Sequence, residues 1–161
     1  LLSWVERIKS EVLRYYDQFK TAGSSGSGGF IYPISAGKYR ISSGYGTRNN
    51  PTGKGVQFHK GVDLAARYGT DIHAAAAGTV IYAQFAARPY TGYGNLVIIR
   101  QTDTTISMYG HCSKLLVSVG QSVTQGQTIA QVGRTGDADG NHCHFEIRVN
   151  GKSVNPMPYL S

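Results

Sequence analysis

From Phe30 to its end, the chain is interrupted so often by glycine, proline, asparagine and aspartate that only short segments between the breaks are free to form regular structure. Glycine reaches positive φ without penalty and weakens helices, so a sequence punctuated in this way turns often and brings backbones close together. With 21 glycines in 161 residues, against a usual share of roughly 7%, the chain favours β architecture over long helices. The runs between the breaks are rich in β-branched and aromatic residues: Thr79 to Ala83, Asn95 to Gln101, Thr105 to His111, Thr128 to Val132 and His142 to Val149. They predict a mainly β domain over residues 30–161, a compact antiparallel β-sheet or sandwich. Val119 to Ile129, with Gly120 and Gly126 six apart around Val123, predicts a compact turn excursion before the next strand. Lipoyl-type barrels carry similar punctuation, but no lysine stands at this turn tip to carry a cofactor.

The first residues follow a different rule. Leu2, Val5, Ile8, Val12, Tyr16 and Phe19 recur at spacings of three and four with charged residues largely between them, which predicts an amphipathic helix over residues 1–20. Residues 21–29 are almost wholly Ala, Gly and Ser, the composition of a flexible linker. The helix therefore reads as a docking helix or as the end of a preceding domain of a larger protein. A first residue Leu1 in place of Met fits a mature product or such a piece.

The net charge of +7 and a pI near 9.5 suit contact with polyanions, among them the anionic polymers of a bacterial wall. The basic residues are scattered rather than gathered in a run, which argues against specific nucleic-acid recognition. No stretch approaches the roughly 18 apolar residues of a membrane span, and no secretory leader is visible. Cys112 and Cys143 are too few for a disulfide framework and lack the spacing of a structural zinc ribbon.

Four of the five histidines gather in three segments. On a strand, His142 and His144 share one face while Cys143 and Phe145 share the other, so the two imidazoles form a pincer. In His59-Lys60-Gly61-Val62-Asp63, positions four apart lie on one side in either regular conformation, and Gly61 between them leaves room for an ion. In the third segment, strict alternation places Ser107, Tyr109 and His111 on one face and Ile106, Met108 and Cys112 on the other. His73 has no such neighbour and reads as structural. Two His and one Asp make a donor set for Zn2+ with a position left open for water, and two histidines remain for proton transfer.

Together, His59-x-x-x-Asp63, Tyr109-Gly110-His111 and His142-x-His144-Phe145-Glu146 resemble the motifs of the lysostaphin-type zinc metalloendopeptidases. The resemblance runs from about Tyr32 to Leu160 and includes Gly44-Tyr45-Gly46-Thr47-Arg48, Gly92-Tyr93-Gly94-Asn95 and the segment from Asn150-Gly151 to Asn155-Pro156. It implies that His59, Asp63 and His144 bind zinc, and that His111 and His142 act on the water and the tetrahedral intermediate. It also implies an endopeptidase that hydrolyses cross-bridge or stem peptides of peptidoglycan. Its place would then be extracellular, at the cell wall, or within a phage particle. Which of the two free histidines is the general base stays open, as does the bond cleaved. Tyr45 and Arg48 are candidates for positioning the substrate.

Asn141, Cys143 and Cys112 depart from the family pattern. Both cysteines turn away from the expected metal face and read as small core hydrophobes, with a cross-strand disulfide as the alternative. The competing functional readings are a non-catalytic wall-binding or regulatory module of the same fold, a cupin-like metal oxygenase and a cysteine peptidase. The upstream Asp63 and the short step to Glu146 disfavour the oxygenase, and the outward parity of both thiols disfavours the cysteine peptidase.

Overall fold

A computed structural model describes residues 29–49 and 55–161. The helix expected over residues 1–20 and nearly all of the linker lie outside the described residues. In chain order the strands are β1 (Arg40–Ser43), β2 (Gly46–Asn49), β3 (Val56–His59), β4 (Val62–Ala65), β5 (Asp71–His73) and β6 (Gly78–Phe85). They continue with β7 (Asn95–Arg100), β8 (Thr105–Leu115), β9 (Ser122–Val123), β10 (Thr128–Val132), β11 (His142–Val149) and β12 (Lys152–Val154). A 3-10 turn at Met157–Tyr159 comes last. Among the described residues no helix is long and apolar enough to cross a membrane.

Ten strands form one sheet, ordered β1-β4-β11-β8-β7-β6-β9, with β10 bridging β5 and β8 and β12 paired with β11. Every strand pairing in it is antiparallel, and β6–β7, β7–β8 and β11–β12 are neighbours in sequence. β2 and β3 make a separate ribbon. The turn expected between Val119 and Ile129 contains β9, which pairs with β6.

The sheet is covered unequally on its two faces. The main core lies on one side, where Val62 and Leu64 of β4, Tyr109 of β8, and Cys143, Phe145 and Ile147 of β11 pack with Ile72, Val97, Ile99 and Ile129. A smaller cluster of Ala86, Leu96, Ile98 and Met108 covers part of the other side. β7 is sandwiched between them, and so reads Leu-Val-Ile-Ile without polar alternation. Each such buried side chain contributes about 1.5–3 kcal/mol. The central strands β4, β11 and β8 are thereby held in fixed register, and their remaining outward face carries polar groups.

Candidate metal centre

Along β11 the side chains of Cys143, Phe145 and Ile147 enter the core, so alternation turns His142, His144 and Glu146 to the opposite face. β4 pairs with β11 in the register His144 to Asp63, which puts the carboxylate directly beside the imidazole. His59 arrives from the end of β3, outside the main sheet. His59 and Asp63 thus stand on two strands joined by a turn, and their proximity comes from that turn rather than from a shared strand face. Gly61 is required for a reason other than space for an ion: a Cβ there would collide with the Phe145 carbonyl and the Glu146 side chain on β11.

His111 reaches this face by a local irregularity. Tyr109 lies in the main core, so unbroken alternation would have buried His111 beside it. Instead the β7–β8 register slips between Asn95 and Val97, and His111 takes φ of 62°. A bulge of this kind inserts one extra residue and re-aims the side chains beyond it. His111 therefore faces the groove and Cys112 drops into the same core as Tyr109, where alternation had placed them apart. Both cysteines are free thiols, fully buried; the disulfide alternative is not formed.

Each of the four clustered histidines has its outer nitrogen committed. Nδ1–H of His59 donates to the Gly44 carbonyl at 2.8 Å, that of His111 to Thr135 at 2.7 Å, and that of His142 to Gly140 at 2.9 Å. In His144 the outer nitrogen is Nε2, whose N–H donates to Glu146 Oε2 at 2.8 Å. The inner nitrogens converge. His144 Nδ1 is 2.8 Å from Asp63 Oδ1, and His59 Nε2 is 3.1 Å from that oxygen and 3.2 Å from His144 Nδ1. His142 Nε2 is 3.7 Å from the same carboxylate, and the His111 and His142 rings stand 4.8 Å apart.

Burial alone would raise the Asp63 carboxyl, but hydrogen bonds from His144 and His59 outweigh it and hold the group well below the usual carboxylate range. Burial would likewise lower His144, yet Asp63 on one nitrogen and Glu146 on the other raise it to about 9. His111 is pushed down to about 4, chiefly by burial, which its bond to the Thr135 carbonyl only partly offsets. Glu146 is itself enclosed: Tyr93 Oη–H donates to Oε2, and Arg148 Nε–H donates to Oε1 at 3.0 Å while Nη2–H reaches Tyr93 Oη at 3.2 Å.

His59, Asp63 and His144 each offer a ligand atom, and those atoms lie within 4.8 Å of one another. Two imidazoles and one carboxylate, with second-layer acceptors already fixing each ring, suit a zinc ion with an open coordination position. His111 and His142 border this triad without competing for it. Arg48 Nη1 lies 3.4 Å from Asp63 Oδ2 at the groove wall, whereas Tyr45 turns away, donating to the Ser153 carbonyl. His73, as expected, lies apart and bonds Ser35 and Thr128. Sequence reasoning gave no role to the linked set of Glu146, Arg148 and Tyr93, although Glu146 and Tyr93 stand in the quoted motifs. The first two were within reach, because they continue the i, i+2 series of His142 and His144 on β11.

The profile of Peptidase family M23 matches residues 57–156. Among curated proteins, the murein hydrolase activator NlpD of Escherichia coli is 48% identical over 102 residues, 63% of this chain and 26% of that protein. The peptidoglycan DD-endopeptidase ShyA of Vibrio cholerae is 39% identical over 127 residues, 78% of this chain and 28% of that protein. The chain thus spans little more than a quarter of the length of either. Among solved structures, a zinc-containing peptidase from Vibrio cholerae superposes with a TM-score of 0.71 at 35% identity, covering 80% of this chain and 39% of that one. The catalytic domain of lysostaphin from Staphylococcus simulans gives 0.65 at 32% identity, covering 75% and 91%.

Proposed function

The chain belongs to peptidase family M23, and from that premise we propose that it is a zinc-dependent endopeptidase hydrolysing peptide bonds of bacterial peptidoglycan, in a cross-bridge or a stem peptide. The observation that carries this reading is the convergence of His59, Asp63 and His144 beside two further histidines whose Nε2 atoms are unclaimed. His59 through Nε2, Asp63 through its carboxylate and His144 through Nδ1 would hold the ion. When bound, zinc supplies Lewis acidity and a water acidified to a pKa of roughly 7.

The chain's own groups do the rest. A histidine whose Nδ1–H is held by a backbone carbonyl presents a lone pair at Nε2, and both His111 and His142 do so at the groove. One accepts the proton of the attacking water as the C–O bond forms and returns it to the amide nitrogen as the C–N bond breaks. The other, once protonated at Nε2, donates that N–H to the charge that develops on the carbonyl oxygen. Glu146 keeps the His144 ring in one orientation. Buried, fixed donors of this kind need no reorganisation as charge moves.

A second reading is a regulator of other wall hydrolases, favoured by the 48% identity to an activator. Against it stands the full set of ionisable groups gathered at one groove. Relatives named as an outer membrane antigenic lipoprotein and a peptidoglycan endopeptidase support the cell envelope, rather than a phage particle, as the place of action. The short share of each relative that is matched supports residues 30–161 as the peptidase domain of a larger protein.

Purified cross-linked muropeptides incubated with this protein alone separate the two readings. New amino termini released without any added hydrolase, in the presence of zinc, are the expected result. Release only when a second hydrolase is supplied would replace the enzyme by the activator.

A further inference from the structure

The candidate centre lies in an open groove of about 1210 Å3 whose two sides carry opposite charge. Arg40 on β1 pairs with Ala65 on β4, and Ala65 pairs with His142 on β11. Residues directly opposite one another in neighbouring strands share a face, so the Arg40 side chain stands on the same face as His142, two strand spacings or about 10 Å away. Beyond it the groove runs on, through Arg40, Ala65 and Asn141, into a second hollow of about 940 Å3 that adds Lys38 and Arg67. Asp71 is the one acidic residue there, and its Oδ1 accepts from Gln131 Nε2 at 3.5 Å. Among the described residues Lys38, Arg40 and Arg67 are exposed and make no ion pair. On the far side, past β8, exposed Asp137 lines the groove from a loop tied to Gly92 by its N–H at 2.9 Å, and Asp139 follows on the stretch by which that loop returns to Asn141.

We propose that the hollow of Lys38, Arg40 and Arg67 is a subsite that reads a free carboxylate on the peptide substrate. The inference rests on the endopeptidase reading and narrows its substrate to peptides carrying an unamidated carboxylate on the β1 side of the scissile bond. Three unpaired cations continuous with the groove attract such a group, while Asp137 on the far side repels it. A substrate with one acidic end is therefore held in one direction only. Neutral glycine-type bridges gain nothing from this arrangement.

Two peptides of one sequence, one with free and one with amidated carboxylates, test it on the zinc-loaded full chain, with Kd and kcat/KM both measured. The free acid should bind about tenfold more tightly, with the ratio collapsing as salt rises to about 0.5 M. The K38Q/R40Q/R67Q variant should bring the ratio down to about threefold or less and leave the amidated peptide unchanged. Arg40→Gln alone should lower the ratio part of the way if the triple variant does not fold. A wild-type ratio near one overturns the subsite, as does a ratio that survives the substitutions. If neither peptide is cleaved while the Kd ratio holds, it is the endopeptidase reading that fails and the subsite stands.

Discussion

Nε2 of His144 and Oε2 of Glu146 stand 2.8 Å apart, with the carboxylate wholly buried behind the ring. That contact fixes which nitrogen of His144 faces the groove, and Tyr93 and Arg148 fix the carboxylate in turn. Removing its charge should loosen metal binding without touching a ligand. Glu146→Gln is expected to weaken zinc affinity by about 10–100-fold, read by competition with a chromophoric chelator. An unchanged affinity in a folded variant would show that the ring is held by packing alone.

Both nitrogens of His144 face carboxylates, so the metal-free ring is an imidazolium, raised to about 9. Zinc bound at Nδ1, as proposed, would displace that proton. Calorimetry in buffers of different ionisation enthalpy should record release of about one proton at pH 7.5, falling off above pH 9. The sign for stability is set by the raised value. This ion pair contributes fully below the unfolded pKa of 6.5 and is lost as pH rises through about 9. Metal-free protein should therefore melt at a lower temperature at pH 9.5 than at pH 6.5. Zinc-loaded protein should lack this His144-linked fall.

His111 and His142 border the triad but lie outside the set of converging ligand atoms. His111→Ala and His142→Ala should each keep their zinc and lose hydrolysis by about 10²–10⁴-fold. Metal content and turnover measured on the same preparations check this. A zinc-loaded, fully active variant at either position would remove that residue from the mechanism.

Burial pushes the Cys112 thiol up to about 12 and raises Cys143 well above its ordinary range. Neither is thiolate at neutral pH, and neither is reachable. Native protein should resist alkylation with its activity intact, and two thiols should react after unfolding. Rapid inactivation by alkylation would favour cysteine-peptidase chemistry instead.

Much of this site was legible because β11 obeys simple alternation: its limits, His142 to Val149, and the shared face of its two histidines come directly from period-two patterning. β10 was equally plain. His111 reached the expected place by an unexpected route, since a left-handed residue at a bulge leaves no mark in hydropathy. The β2–β3 ribbon escaped notice because Val56 and Phe58 are exposed, so no buried face imposed a pattern. A glycine between His59 and Asp63 suits space for an ion, but what requires Gly61 is the backbone and Glu146 side chain of β11. Tyr93 meets Glu146 across 53 residues, a contact set by sheet order that local sequence does not encode.

The most direct test is a zinc titration of chelator-stripped protein, with peptide-bond hydrolysis of peptidoglycan read at each addition. Activity should be absent at the start and return in proportion to zinc up to one equivalent. Hydrolysis that persists in the stripped protein, or none at one bound equivalent on any wall tested, would contradict a single zinc centre at His59, Asp63 and His144 as the seat of catalysis.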